Sequence, residues 1–278
     1  MHSFAGMTYL LVPIDERKTS HRAVPIAGRI ARRMELPIRL FTRVEHDHEG
    51  DPARAELDRI AATHLADNDV TTYTIHGEDP VDSIVEAAGE SGVICMGTAA
   101  SVRFHDGHFG SVAEGVARNL GRPLFLVGPE VEPHPGSPTR KIVVPVDGSS
   151  QSESAIEVGG RLAEKLDVPL WLVTVVSPRQ AATAQREVGL GAMMLESNYV
   201  HNLARDIRRT HPVDAEYEVL HDEHPANAIV DFVGDDGTAV MSTHGRSGLT
   251  RLVAGSVTTG VVARSKRAVV VFRPTDAE

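Results

Sequence analysis

The chain has 278 residues, 41% of them hydrophobic and 4% aromatic, and its 38 acidic against 28 basic side chains give a net charge of -10. That length accommodates one large or two ordinary domains with apolar cores, and the acidic balance disfavours a duplex nucleic-acid binder, whose affinity comes largely from phosphate neutralisation. No run of about 18 apolar residues occurs, and the start MHSFAGMTYLLVPIDER lacks the basic region and long apolar core of a secretion signal, so no membrane span and a cytoplasmic location are expected.

The first apolar run, from Leu10, opens the stretch LLVPIDERKTSHRAVPIAGRIARRMELPIRLFTRV, which aligns without gaps on IVVPVDGSSQSESAIEVGGRLAEKLDVPLWLVTVV from Ile142. The shift of 132 residues superimposes Pro13 on Pro145, Asp15 on Asp147, Gly28 on Gly160, Arg29 on Arg161 and Thr42 on Thr174. Further on, VICMG holds the single cysteine, Cys95, which reads as a buried inert thiol. It leads into the loop-like GTAASVRFHDGHFGSV, Gly97 to Val112, and then the apolar PLFLV. From Gly128, GPEVEPHPGSPTR has four prolines and two glycines and reads as a linker.

In the second copy KIVVPV predicts a strand, Ser152 to Leu166 a helix and PLWLVTVV a strand. A helix over about Leu195 to Arg209, strand AEYEVL, helix Pro225 to Val233 and strand TAVMS follow. After a long loop come a helix from Ser256 and strand AVVVF. Beyond the second strand the shift becomes 145, matching Met96 with Met241, Gly110 with Gly255 and Ser111 with Ser256, so the second copy carries 13 extra residues. These fall within SPRQAATAQREVGLGAMM, a candidate flap over a pocket, in which Met193 and Met194 read as helix core. Strands so uniformly apolar are covered on both faces, as in a parallel sheet sandwiched by helices. The expected architecture is α/β, two tandem doubly wound five-stranded parallel-sheet domains related by a pseudo-twofold axis. The first spans 1–128, a linker 129–140 and the second 141–278. PLFLV and AVVVF would be hazardous bare edges and are expected to pack against one another as an intramolecular pseudo-dimer. A further homodimer of whole chains is compatible with this without being written in the sequence.

Ligands of open parallel sheets bind beyond the carboxyl ends of the strands, where strand order reverses. Asp147, Val175 and the stretch STHGRSGLTRLVAGSV, from Ser242, fall at such ends. The latter leads into a helix at GSV, so amides of Gly255, Ser256 and Val257 point at an anion, with the Ser256 hydroxyl beside them. Glycines 245, 248 and 255 are read as permitting positive φ and close backbone approach. A carboxylate at Asp147 repels phosphate but accepts hydrogen bonds from a ribose or adenine, so the implied ligand is a nucleotide. Neither GxxxxGK[ST] nor GxGxxG is present, nor are GxSxG or SGGxDS.

VPVDGS, MSTHGRSGLTRLVAGSV and the closing AVVVF resemble the universal stress protein family, and nearly the whole chain resembles it twice. Nucleotide-binding members of that family carry Gly, two residues, Gly, nine residues, then Gly-Ser or Gly-Thr. The pattern lands on Ser242, Gly245, Gly255 and Ser256, departing at Ser242, and on Gly97, Ala100, Gly110 and Ser111, departing at Ala100. The resemblance implies a stress-response regulator binding ATP or AMP, with or without Mg. Pro145, Val146 and Asp147 would flank the adenosine, Val175 would meet adenine, and Met241 to Gly245, Arg246 and Gly255, Ser256, Val257 and Thr258 would wrap ribose and phosphates. Asp15, Gly97, Gly110 and Ser111 form a poorer first site, where Arg43 replaces a small apolar residue and Glu16 and Arg17 replace Gly-Ser.

No general base or acidic metal pair is placed by the sequence, so slow ATP hydrolysis is the most activity expected and no catalytic residue is assigned. His46 and His48 lack a well-spaced third ligand and read as a solvated loop, as do His105 and His108; Arg251 reads as either solvated or phosphate-facing. The rival reading is a scaffold that has lost nucleotide and acts through protein contacts, with a transporter or sensor in a membrane among its partners; a nucleotidyl transferase is the enzyme rival.

Overall fold

YLLVPI has all six residues buried and so cannot present a solvent face; the chain must cover it on both sides. The computed structural model shows how, describing residues 4, 6–99, 110–132, 138–179, 191–243 and 255–274, with the backbone alone at 47 and 191–196. The first half runs β1 (Tyr9–Ile14), α1 (Lys18–Met34), β2 (Ile38–Val44), a short 3-10 turn (Asp47–Glu49), α2 (Gly50–His64), β3 (Val70–His76), α3 (Pro80–Ala88), β4 (Gly92–Gly97), α4 (Ser111–Leu120) and β5 (Leu124–Val127). The second runs β6 (Lys141–Pro145), α5 (Ser150–Leu166), β7 (Leu170–Val176), α6 (Gly191–Thr210), β8 (Ala215–His221), α7 (Pro225–Val233), β9 (Gly237–Ser242), α8 (Ser256–Arg264) and β10 (Val269–Phe272). Among the described residues no helix is long and apolar enough to cross a membrane.

The strands form one ten-stranded sheet in the order β3-β2-β1-β4-β5-β10-β9-β6-β7-β8. Every pairing inside a half is parallel, and the halves meet by the antiparallel pairing of β5 with β10. Phe125 faces Val270, its counterpart at the 145-residue shift, so the pseudo-twofold axis passes between these two residues. The expected edge strands therefore cover each other. Their ladder also satisfies the amides and carbonyls that a bare edge would expose.

Side chains sort by sheet face into two continuous layers. Leu10, Val12, Phe125 and Phe272 pack with α1, α2, α5 and α6, whereas Leu11, Phe41, Met96 and Val271 pack with α3, α4, α7 and α8. Each layer runs through both halves, so the junction shares the core instead of merely touching it. Cys95 is buried in the first layer, and burial pushes its thiol up to about 12, which keeps it neutral and unreactive.

Helix ends account for the offsets from the expected boundaries. The α5 helix starts at Ser150 because the Ser149 hydroxyl accepts from Ser152 N at 3.1 Å, an N-cap outside the apolar pattern. Both α1 and α5 close on an acidic residue in left-handed conformation, Glu35 at φ 56° and its counterpart Asp167 at φ 51°. The α6 helix is 20 residues long against 15 for α2, since part of the insertion extends it. Of the candidate flap, 180–190 lies outside the described residues, and so do the side chains of Met193 and Met194.

At the junction a Cβ on Gly128 would meet the Val262 carbonyl of α8 at 2.0 Å, with no flexible side chain to move aside. We expect Gly128→Ala to cost about 1–3 kcal/mol in urea unfolding, the usual penalty of overpacking. Gly50→Ala, whose Cβ meets only Thr74 Oγ1 at 3.8 Å, should stay within about 0.5 kcal/mol.

Candidate functional site

In each half the strand order reverses between the first and fourth strands, β1 and β4 or β6 and β9. The chain leaves β6 for a helix on one face and approaches α8 on the other face after β9, so a crevice opens between them at the carboxyl edge. Pro145 ends β6, Val175 lies near the end of β7 and Ser242 ends β9, on adjacent strands in the order β9-β6-β7. The sequence-predicted wall of Pro145, Val146, Asp147, Val175, Met241 and Ser242 is thus brought to one edge.

The Asp147 turn is built from two hydroxyls and two backbone amides. Val146 N still bonds Val173 O at 2.8 Å, so the ladder holds to the residue before the turn. Gly148 then takes φ 84° in open space, so backbone direction, and not crowding, demands glycine there. Ser149 Oγ donates to Asp147 Oδ1 at 2.6 Å and Ser149 N donates to the same oxygen at 3.1 Å, while Asp147 N donates to Ser152 Oγ at 3.1 Å. Burial acts to raise the Asp147 pKa, but the hydroxyls of Ser149 and Ser152 and the turn amides outweigh it and hold the carboxyl below its ordinary value. At neutral pH this is an oriented, exposed carboxylate that accepts hydrogen bonds.

Opposite it, the end of β9 is clasped to both flanking helices. Ser242 Oγ donates to the Gln151 carbonyl at 2.9 Å, Gln151 Nε2 donates to the Thr243 carbonyl at 2.7 Å, and Thr258 Oγ1 donates to the Ser242 carbonyl at 3.3 Å. These bonds explain the departure at Ser242. In the first copy a Cβ on Gly97 would meet the Thr19 carbonyl at 1.8 Å, whereas in the second the α5 start leaves room for a serine that bonds Gln151, the counterpart of Thr19. The serine is a structural clasp between the end of β9 and the start of α5.

Gly255 caps α8 at φ −53°, an ordinary value, so the positive φ that a glycine permits is not used there. Its counterpart Gly110 does use φ 115°. Gly245, Arg246, Gly248 and Arg251 lie outside the described residues, as do Ala100, His105 and His108. Ser256 is exposed at the start of α8, Val257 half-buried and Thr258 buried. Ser256 and Val257 line a cavity of about 320 Å³ with His224, Asn227 and Arg264, where the starts of α7 and α8 meet; Asp147 and Val175 do not line it.

The first copy repeats the plan with different chemistry. Asp15 N bonds Ser20 Oγ at 3.1 Å, but its carboxylate faces Arg17, whose amide donates to Oδ1 at 3.0 Å and whose guanidinium stands 3.9 Å from Oδ2. Arg43, in the place of Val175, donates to the Gly77 carbonyl at 2.7 Å and to Glu45 at 2.9 Å. Ser111 is exposed at the start of α4. His46 and His48 stack at 5.5 Å, and among the described residues no three His, Cys, Asp or Glu side chains are grouped to hold a metal.

Three residues of the second site escaped the sequence reading. Ser152 had a signal, its alignment with Ser20. Gln151 aligns with Thr19, which hides it. Tyr199 reaches from α6 to donate to Glu153 Oε1 at 2.7 Å, and its hydroxyl pKa is raised by burial, then by Glu153 and more weakly by Asp147, which places it beside the Asp147 turn.

Fold and crevices together define a class: two tandem doubly wound α/β domains sharing one sheet, each with a switch-point crevice. The sequence profile described as universal stress protein family matches residues 7–128 and again 138–273. The chain belongs to the universal stress protein family. A universal stress protein of Mycobacterium tuberculosis is 24% identical over 289 residues, covering 95% of this chain and 96% of its own. A second from the same organism is 25% identical over 197 residues, covering 70% of this chain and 66% of its own, just under two thirds. Among solved structures, a universal stress protein from Archaeoglobus fulgidus covers 99% of both chains at TM-score 0.66 and 19% identity. A functionally unknown protein from Pseudomonas aeruginosa covers 98% of this chain and 94% of its own at TM-score 0.59 and 15% identity. At these identities the structures show a shared tandem fold.

The unequal clasps give a reciprocal test by chemical denaturation. Gly97→Ser should cost about 1–3 kcal/mol, because backbone meets the new Cβ, while Ser242→Gly should cost about 1 kcal/mol, the worth of one hydrogen bond plus glycine entropy. Asp147 gives a pH test. Its depressed pKa makes its stabilisation present above the ordinary value of 3.8 and lost as pH falls through the folded value. The stability advantage of wild type over Asp147→Asn should therefore shrink on acidification below pH 3.8.

Proposed function

We propose that this chain is a stress-response regulatory protein of the cytoplasm that binds an adenine nucleotide, ATP or AMP, mainly through its second half. The observation that carries this reading is the exposed Asp147 carboxylate, oriented by Ser149 and Ser152 at the switch point between β6 and the clasped end of β9. A carboxylate so held accepts from ribose hydroxyls or an adenine amino group, and the main chain at Val175 meets the base. The amides at Gly255, Ser256 and Val257, with the Ser256 hydroxyl, favour phosphate at the helix start. The domains to which this assigns unequal roles are 1–128 and 141–278, joined by 129–140.

The first half is the weaker binder because its corresponding places are occupied. Arg17 faces Asp15, and Arg43 brings a long cationic side chain, bonded to Gly77 and Glu45, where Val175 leaves the crevice open. Among the described residues of the second crevice none is positioned as a general base for water, and the nucleotide is read as a bound signal, hydrolysed slowly if at all. Mg would accompany ATP through its phosphates.

Titration calorimetry with ATP, ATP plus Mg and AMP tests this. Wild type should bind, and Asp147→Ala should bind at least about tenfold more weakly, the worth of one or two hydrogen bonds to a charged group. Asp15→Ala should leave the main affinity unchanged. Absence of heat with every nucleotide, together with purification free of nucleotide, would leave the scaffold reading, in which the chain acts through protein contacts alone.

A further inference from the structure

The ten-stranded sheet ends in two outer strands, β3 and β8, each paired on one side. An outer strand sends the amide and carbonyl of alternate residues inward to its neighbour, and those of the residues between them outward. Ile38 N donates to the Asp69 carbonyl at 2.8 Å, which sets the phase in β3: Thr71, Tyr73 and Ile75 bond to β2, while Thr72 and Thr74 turn outward. Among the described residues none bonds the outward amides and carbonyls of these two threonines.

Such an edge is a template for another strand, and proteins blunt it with charge, proline or brevity. The β3 edge has none of these. VTTYTIH is seven residues long, five of them β-branched, and holds no Asp, Glu, Lys, Arg or Pro. Asp58 of α2 accepts from the Thr72 hydroxyl on the face that α2 covers, out of the plane in which a strand would pair. The opposite edge is guarded. β8 lies at the 145-residue shift from β3 and keeps the same phase, since Leu170 N donates to the Asp214 carbonyl at 2.8 Å. There Glu216 and the exposed Glu218 stand where β3 has Thr71 and Tyr73.

The β3 edge is also complementary to itself. Laid antiparallel about a twofold axis at Tyr73, two copies set Thr72 of each opposite Thr74 of the other, with their outward amides and carbonyls exchanged as hydrogen-bonded pairs. Tyr73 and Ile75 lie half-buried on the sheet face that packs with α3. On that face Tyr73 would meet Tyr73 and Ile75 would meet Thr71, aromatic and β-branched cross-strand pairs that stabilise a sheet. The same operation at β8 sets Glu218 against Glu218, a like-charge pair that opposes it.

We infer that the outer edge of β3 is the interface of a homodimer, two whole chains joined by antiparallel pairing of β3 with β3 about an axis at Tyr73. One sheet then continues through both copies. The mode is the one by which β5 and β10 already join the halves of a single chain. Isologous pairing consumes the β3 edge of both copies and leaves the guarded β8 edges outside, so assembly closes at two chains. This interface is independent of nucleotide.

Sedimentation equilibrium of the full 29.9 kDa chain should show monomer and dimer with no larger species. Thr74→Pro removes an outward amide that bonds nothing in β2, and Tyr73→Glu places like charges on the axis; each should weaken the dimer about tenfold, while Glu218→Gln leaves it unchanged. Tyr73→Cys tests the register. Facing residues of a non-hydrogen-bonded antiparallel pair have Cα atoms about 4.5 Å apart, within reach of a disulfide, so this variant should oxidise to a covalent dimer and Glu218→Cys should not. Cys95 is buried and does not compete. Circular dichroism melting of each variant establishes that it is folded. A chain that stays monomeric at every concentration, or one that grows beyond the dimer by pairing β3 with β8 of the next copy, would overturn the inference. So would a dimer that keeps wild-type affinity in folded Thr74→Pro and Tyr73→Glu and does not cross-link through Tyr73→Cys.

Discussion

Three facing residue pairs, Leu126 with Val269, Phe125 with Val270 and Leu124 with Val271, set the arrangement of everything else in the molecule. A parallel strand can accept a new neighbour in either direction, but two equivalent edges brought together about a twofold axis must run antiparallel. The pairing therefore fixes the axis, turns two five-stranded layers into one sheet and merges their cores on both faces. It also fixes where functional crevices can be. The switch points, between β1 and β4 and between β6 and β9, lie on opposite sides of the junction, so each is formed by strands of one half alone, whereas the space beside the axis is shared.

Equivalent positions in the two halves solve the same steric problem in different ways. At the end of the fourth strand the first copy needs glycine, because the Thr19 carbonyl lies where a Cβ would go. The second accommodates a serine and uses its hydroxyl to hold Gln151. After the first strand, one copy turns through a glycine of positive φ and gathers serines around its aspartate, while the other continues through Glu16 and faces its aspartate with Arg17. A motif read as letters scores Ser242 as a defect, but the bonding shows that serine here maintains the wall of the crevice.

The architecture was legible in the sequence because its signals are local and repeated. Fully apolar strands such as YLLVPI and VVVF announce burial on both faces, and the aligned Pro13 and Pro145, Asp15 and Asp147 announce the duplication. The apolar PLFLV and AVVVF implied that the two edges meet, though not the register that places Phe125 against Val270. The site was legible where it follows strand ends, as at Asp147, Val175 and Ser242. It was illegible where it depends on which side chains the helices bring back. Tyr199 sits just beyond the insertion, where the shift between copies changes, and Gln151 aligns with a residue of different reach. Glycine composition does not reveal which glycine bends the chain: Gly148 and Gly110 use positive φ and Gly255 does not.

Joining the halves in one polypeptide also changes what a single mutation can achieve. In an assembly of two identical chains every substitution is installed twice, once on each side of the axis, so a group that helps one side and harms the other is rejected as a sum. Here Pro25 opposes Glu157, and Arg32 opposes Glu164, across the same axis without forcing either choice on the partner position. The number of independent positions available to selection is twice that of a symmetric pair of the same size.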